Sequence, residues 1–364
     1  MAGKYFKRNR FTYSSALIAL VLSAVIFCSK NSAGPEPEKY VPPPLTNTTW
    51  QMISNPDSAG WSSEKLQAAY EYSKGTQTAA VMIIYDGKVL YHWGEISRRF
   101  WIHSCRKSLM SALYGIHVKN GNIDLDKTMG ELGIDDNPPS LTDEEKIATV
   151  RMLIKARSGV YHPAAAEAPS MRAARPERYS HAPGTFWYYN NWDFNALGTV
   201  FEQETGTKIF EEFKAKIADP VGMEDFRVDD GIYQYEDYSI HPAYHFRLTA
   251  RDMARFGLLF LRNGMWNEEE IISEDWIEES TTSYSDAGDS GGYGYMWWIA
   301  VDGKHVPFVA LNDAFSARGY GGHFVLVIPE MDVVIVHRVN TDINNSVSGI
   351  ESGVLVSLIL DAKN

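Results

Sequence analysis

Apolar and polar residues change rhythm three times along this chain, and each change predicts a different kind of structure. "SSEKLQAAYEYSKG" spaces its apolar residues along one face of a short helix. "TAAVMIIYDGKVLYHWG" is instead two apolar runs around Asp86-Gly87, a pair suited to the tight turn of a hairpin. From Ser104 to about Gly264 the helical period dominates. "SLMSALYGIHVKNG" ends at Asn120-Gly121, "TDEEKIATVRMLIKARSG" opens with a Thr142 to Glu145 capping box, and "TARDMARFGLLFLRNG" runs from Thr249 to Gly264. Strand signals return in "GYGYMWWIAVDG", "GGHFVLVIPE" and "MDVVIVHRV", before "SVSGIESGVLVSLILDAKN" closes the chain as an apolar helix. The predicted fold class is α/β plus all-α. An antiparallel sheet is built from both chain ends (48–102 and 285–364) and flanked by helices, an all-helical region with long loops is inserted between them (103–284), and a cleft lies at the junction.

The first residues follow a different pattern. Lys4, Lys7, Arg8 and Arg10 precede the apolar run "FTYSSALIALVLSAVIFC", and a Pro-rich stretch follows, the basic, apolar, polar order of an export signal over residues 1–28. Three fates fit that order: removal, retention as a membrane span, or cleavage before Cys28 with lipid attached to its sulfur. The third is preferred, because it resembles bacterial lipoprotein signals and leaves residues 29–47 as an extended tether, although Phe27 stands where such signals usually carry a small residue. The expected location is therefore exported and membrane-anchored, on the periplasmic or outer face. Across all 364 residues, 45% hydrophobic and 13% aromatic content is enough to fill a large core, so residues 48–364 are read as one domain. The formal charge of -12 becomes more negative without the basic N-terminus, which excludes nucleic acid as a partner. Cys28 and Cys105 are the only cysteines, so there is no disulfide framework.

Candidate chemistry centres on "HSCRKSLMSALYG", which puts Ser104 and Lys107 three residues apart. The spacing alone says little: Ser62 and Lys65 repeat it where a serine simply suits a helix cap. Position says more, because Ser104 opens the first helix after the N-terminal strands, where the cleft is expected. Residues three apart share a helix face, and a lysine held partly out of water loses its proton more readily and can accept the serine's. Cys105 with His103 is a poorer nucleophile and base, since successive helix residues point about 100° apart. The ten histidines are scattered. His241 and His245 straddle Pro242 and lack a carboxylate-bearing zinc motif, so neither a metal nor an organic cofactor is called for. Two further fragments matter. "GTFWYYNNWDFNALG" offers Tyr-x-Asn in two registers, and "FSARGYGGHFVLVIPEMDVVIV" offers a Gly-rich turn feeding a strand.

With these fragments, and with "VRMLIKARSGV", "IADPVGMEDF" and "ARDMARFGLLFLRNGMW" in the same order, the chain after the tether resembles the serine beta-lactamase and penicillin-binding-protein superfamily. The resemblance is to the branch that holds class C beta-lactamases, D-alanyl-D-alanine peptidases, esterases and aminohexanoate-oligomer hydrolases. It implies Ser104 as the acylated nucleophile, Lys107 as the group that helps deprotonate it, and Tyr189 as a proton-relaying phenol whose pKa is lowered by the neighbouring ammonium. Leu197-Gly198 sets the register that selects Tyr189 and Asn191 over Tyr188 and Asn190. Asn191 is then either a substrate-binding amide or a helix cap. The oxyanion donors implied are the backbone N–H groups of Ser104 and of Tyr320, just after Gly319. One departure bears on substrate: Ala317 stands where penicillin-recognising relatives carry a lysine or histidine that meets a substrate carboxylate, and Arg318 or His323 would have to replace it. The expected activity is an exported serine hydrolase acting through an acyl-enzyme on small esters or amides. The alternatives are a catalytically weak binding or sensing module of the same fold, and a D-amino-acid peptidase or beta-lactamase.

Overall fold

All seven residues of the strand Val333–Val339 are buried, which a strand achieves only in a sheet covered on both faces. The computed structural model describes residues 40–364, and Pro42–Asn364 form one compact unit. The signal and lipid site expected at 1–28, Cys28 included, lie outside the described residues, as does most of the 29–47 tether. Among the described residues no helix is long and apolar enough to cross a membrane.

The strands in chain order are β1 (Thr78–Tyr85), β2 (Lys88–Gly94), β3 (Phe100–Trp101), β4 (Gly231–Glu236), β5 (Ser239–Leu248), β6 (Met265–Trp266), β7 (Glu269–Glu270), β8 (Ser285–Asp286), β9 (Gly292–Tyr293), β10 (Trp298–Ile299), β11 (Phe315–Gly319), β12 (His323–Ile328) and β13 (Val333–Val339). The main sheet has the order β2-β1-β13-β12-β11-β10-β9-β8 with antiparallel pairs, so it is indeed built from both ends of the chain. Asp86 and Gly87 both take positive φ at the β1–β2 turn, as the Asp-Gly pair predicts.

Five helices matter here: α1 (Ser63–Lys74), α2 (Arg106–Lys119), α3 (Asn191–Thr205), α4 (Ala250–Leu261) and α5 (Gly349–Leu360). Alternation assigns the two faces of the sheet. Met82, Ile84, Ala317, Val325, Val327, Val334 and Val336 join one core with α2, α3 and α4. A Cβ at Gly257 of α4 would fall 2.6 Å from Val334 and 2.7 Å from Val325, so that helix seats directly on the sheet through a residue without a side chain. The neighbours Val81, Ile83, Leu326 and Ile335 are equally buried but belong to the other face, where α1 and α5 pack together.

The all-helical reading of the middle third needs correction. β4 and β5 pair there as an antiparallel hairpin, and β3 joins β5. Charged and polar residues interrupt the β4 run, and Pro242 sits inside β5, so neither reads as a strand from period alone. The segment from Thr142 also differs. Its capping box forms, but the chain makes a 3-10 turn at Glu145–Ile147 and a short helix at Val150–Ile154 rather than one continuous helix.

Candidate active site

Ser104 lies in a 3-10 turn, His103–Cys105, that leads straight into α2. The turn is wedged against the end of β11. A Cβ at Gly319 would stand 2.4 Å from the Ile102 carbonyl oxygen and 3.3 Å from both Cys105 Sγ and His103 Cβ, so only glycine lets β11 approach this closely. His103 enters the turn with φ 47°, in the left-handed region, and its Nε2 is hydrogen-bonded to Thr341 Oγ1 at 2.8 Å. Burial, then the nearby Arg106 and Arg338 charges, lower the His103 pKa to about 4, which leaves this imidazole neutral at ordinary pH.

One residue past Arg106, the Lys107 side chain turns back under the turn. Its Nζ is 2.7 Å from Ser104 Oγ, and the residue is only 1% exposed. The Phe194 and Tyr189 rings lie 4.9 and 4.8 Å from Nζ. Burial first, and then the Arg106 charge, hold the Lys107 pKa well below 10.5, which favours the neutral amine able to take the serine proton.

Tyr189 comes from the segment before α3. Asn190, not Asn191, caps that helix: its side chain accepts the Trp192 N–H, while its Nδ2 donates to Val160 O at 2.7 Å and to Asp193 Oδ1 at 2.8 Å. Pinning Asn190 sets the residues on either side. Tyr189 stacks on Trp298 and meets Tyr293 edge-on, with its phenol near enough to Ser104 for that hydroxyl to lower its pKa. Tyr188 turns away to donate to Met171 O, and Trp192 is fully buried with its Nε1–H on Asp136. The expected lowering of the Tyr189 pKa is not found. Burial pushes it up to about 12, outweighing the lowering by Ser104 and by the Arg106 charge.

A cavity of about 1150 Å³ opens over Ser104, with Arg106, Glu167, Asn191, His245 and Tyr320 among its walls. Asn191 is 4% exposed. Its Nδ2 donates to Ala166 O at 3.3 Å, and its Oδ1 has no partner, leaving a buried acceptor for an incoming N–H. Tyr320 is 70% exposed and sits at the rim, with its ring edge-on to His103. Glu167 is already paired with Arg175 at 2.7 Å. Cys105 faces away, toward the His323 carbonyl, and burial raises its thiol to about 12, so it is no rival nucleophile.

Neither replacement for the cation missing at Ala317 reaches this cavity. Arg318 alternates to the opposite face of β11, where its Nε donates to Ser316 Oγ and its Nη2 to His305 O. His323 is 1% exposed, with Nδ1 accepting from Arg338 Nε, and burial holds it neutral. Ala317 itself is 1% exposed in the sheet. The site does contain one cation that the motif reading passed over, Arg106. The motif gives no sign of it; the structure does, because α2 is buried from Arg106 to His117 and the charge at its start is buried with it. Among the described residues no group of His, Cys, Asp and Glu is placed to hold a metal ion.

A serine hydroxyl bonded to a buried amine at the seam of this fold places the protein in the class of serine hydrolases. The chain belongs to the Beta-lactamase family, whose sequence profile matches residues 63–351. Several solved structures share the fold. A putative 6-aminohexanoate-dimer hydrolase from Bacillus anthracis superposes with a TM-score of 0.60 at 22% identity, over 80% of each chain. A putative beta-lactamase from Bacteroides dorei gives 0.61 at 17% identity, over 84% of this chain and 99% of that one. A penicillin binding protein from Bacillus halodurans gives 0.57 at 17% identity, over 79% and 98%. At such identities these likenesses speak for the fold alone. The curated proteins include no significant sequence match.

Proposed function

We propose that the protein is an exported, membrane-tethered serine hydrolase that cleaves small esters or amides through an acyl-enzyme on Ser104. The observation that carries the reading is the 2.7 Å contact between Ser104 Oγ and the amine of Lys107, a lysine buried beside it whose pKa burial lowers. Ser104 Oγ attacks the substrate carbonyl carbon while its proton passes to Lys107 Nζ. The carbonyl oxygen, now negative, accepts hydrogen bonds from the backbone N–H groups of Ser104 and Tyr320. The proton then moves through the Tyr189 phenol to the departing alkoxide or amine as its bond to carbon breaks. Tyr189 stays protonated overall, as a pKa near 12 requires, and donates one proton while regaining another from Lys107. Water repeats the sequence on the acyl-enzyme and frees the acid. Asn191 offers its spare acceptor to an amide N–H of the substrate. The absence of a cation at Ala317 disfavours the beta-lactamase and peptidase alternatives.

The test is intact-mass measurement after a fluorophosphonate probe and after a short-chain ester. Wild type should gain one adduct that Ser104→Ala lacks. No adduct on the folded wild type would favour the binding-module reading, and an adduct persisting on Ser104→Ala would assign another nucleophile.

A further inference from the structure

Arg106 is a charge buried beside the nucleophile with no carboxylate to answer it. It is 3% exposed, it lines the Ser104 cavity, and among the described residues no acidic side chain pairs with it. Its guanidinium lies 5.0 Å over the Tyr244 ring and makes one long bond, Nη2 to Asn195 Oδ1 at 3.4 Å, while its Nε is buried without a partner. The cavity's own carboxylate, Glu167, is committed to Arg175. A guanidinium taken out of water and left this poorly satisfied is costly, and folding alone gives no reason to keep it. A ligand anion would supply what it lacks, through a bidentate pair for which the guanidinium is the best-matched side chain.

Direction follows from the helix. Cys105 faces Gly319 and the His323 carbonyl, so Arg106, about 100° further round, faces β5 and α3, on the wall away from β11. Tyr189, the phenol next to the departing group, packs on Tyr293 and Trp298 of β9 and β10 as well as on Phe194 of α3. The cavity over Ser104 is walled by Arg106, Asn191 and His245 of β5, so an acyl group laid in it extends toward Arg106.

We propose that Arg106 is a specificity-determining residue that binds a carboxylate carried on the acyl part of the substrate, so that the favoured substrates are half-esters or half-amides of dicarboxylic acids. The proposal rests on the hydrolase reading and refines its substrate class. It also explains how the cavity recognises an anion although β11 carries alanine at position 317: the cation has moved to the opposite wall. The arrangement has a second electrostatic consequence, because the Arg106 charge is among the causes that keep Lys107, His103 and His245 neutral.

The experiment compares monomethyl adipate with methyl hexanoate, which match in length and differ by the terminal carboxylate. Hydrolysis is followed by NMR at pH 7.5, and the protection each ester gives Ser104 against fluorophosphonate is measured alongside. Wild type should prefer the adipate half-ester by about 10- to 100-fold in kcat/KM, the range of a hydrogen-bonded charge pair, with a matching difference in protection. In Arg106→Gln the ratio should fall to near one or below, chiefly through KM, and Arg106→Lys should keep part of it. A wild-type ratio at or below one overturns the proposal, whether or not the variants fold. So does a ratio unchanged in Arg106→Gln with both rates reduced alike, the signature of a residue that only keeps Lys107 neutral. If neither ester reacts and Ser104 takes no label, it is the hydrolase reading that has failed instead.

Discussion

Gly319→Ala is the sharpest test of how the turn at Ser104 meets β11. The new methyl would lie 2.4 Å from the Ile102 carbonyl oxygen, against an ordinary carbon to oxygen contact of about 3.3 Å, so strand and turn must separate by roughly 1 Å. Cys105 Sγ and His103 Cβ, each 3.3 Å from the same point, block a sideways escape. The N–H of the next residue, Tyr320, would move with the strand relative to the N–H of Ser104. Preorganised donors tolerate only about 0.5 Å of error, and losing one oxyanion donor costs ~10²–10³ in kcat. Overpacking of this kind lowers stability by about 1–3 kcal/mol, which a fold of this size survives. Steady-state hydrolysis of a short-chain ester, the rate of Ser104 labelling by fluorophosphonate and thermal unfolding measure all three effects. The expected result is a folded variant with kcat down ~10²–10³ and KM changed far less. A folded Gly319→Ala with kcat within about threefold of wild type would refute the assignment of Tyr320 N–H as a donor, because the displacement could not then matter to the oxyanion.

Three further outcomes are expected. Lys107→Met should lose ~10²–10⁴ in kcat yet unfold at a higher temperature than wild type. Because the folded Lys107 pKa lies below 10.5, the unfolded chain binds more protons in that window and wild-type stability rises with pH through it, so calorimetry should find the gap to Lys107→Met widening as pH falls from 10 to 7. Tyr189→Phe should lower kcat by ~10²–10⁴ without moving the acid limb of the pH–rate profile, and wild type should have no tyrosine limb below pH 11, since Tyr189 is pushed up to about 12. Asp252, buried in the first turn of α4 and beside Asp225, has a pKa raised to about 7 from 3.8. The folded chain there holds the extra proton between those values, so the stability it contributes is complete below pH 3.8 and lost as pH rises toward 7. Asp252→Asn should therefore lose less melting temperature than wild type between pH 5 and pH 8.

What could be read from sequence tracks how local the physics is. Ser104 and Lys107 meet because residues three apart on a helix must, and the Leu197-Gly198 register placed Tyr189 beside them while Asn190 took the cap. The turn at Asp86-Gly87 and the capping box at Thr142 are equally short-range. The β4–β5 hairpin was hidden because its half-exposed residues are stabilised by cross-strand partners rather than by their own pattern, with β5 seated on α3. The sign of the Tyr189 shift escapes the motif for a related reason. A motif says that an amine is adjacent, but only the packed site says how deeply the phenol is buried.

Arg106 joins these two lessons. It sits inside the most legible motif of the chain, between Ser104 and Lys107, and nothing in the spacing marks it, since the middle positions of such a motif are free to vary in chemistry. Its importance follows from what the fold withholds: water, because α2 is buried on nearly all sides, and a counter-charge, because Glu167 is held by Arg175. A positive charge in that position disfavours a second one on Lys107, which helps keep the base ready, and it favours a negative group in the cavity. On the proposed mechanism, the residue that helps prepare Ser104 is also the one that selects the acyl group. A bound carboxylate would partly cancel the Arg106 field and ease Lys107 back toward its charged form, so the acid limb of kcat for an anionic ester should lie at higher pH than that for a neutral one. Coincident acid limbs for monomethyl adipate and methyl hexanoate would show that the bound carboxylate does not act on Lys107 through Arg106, and would separate the two roles.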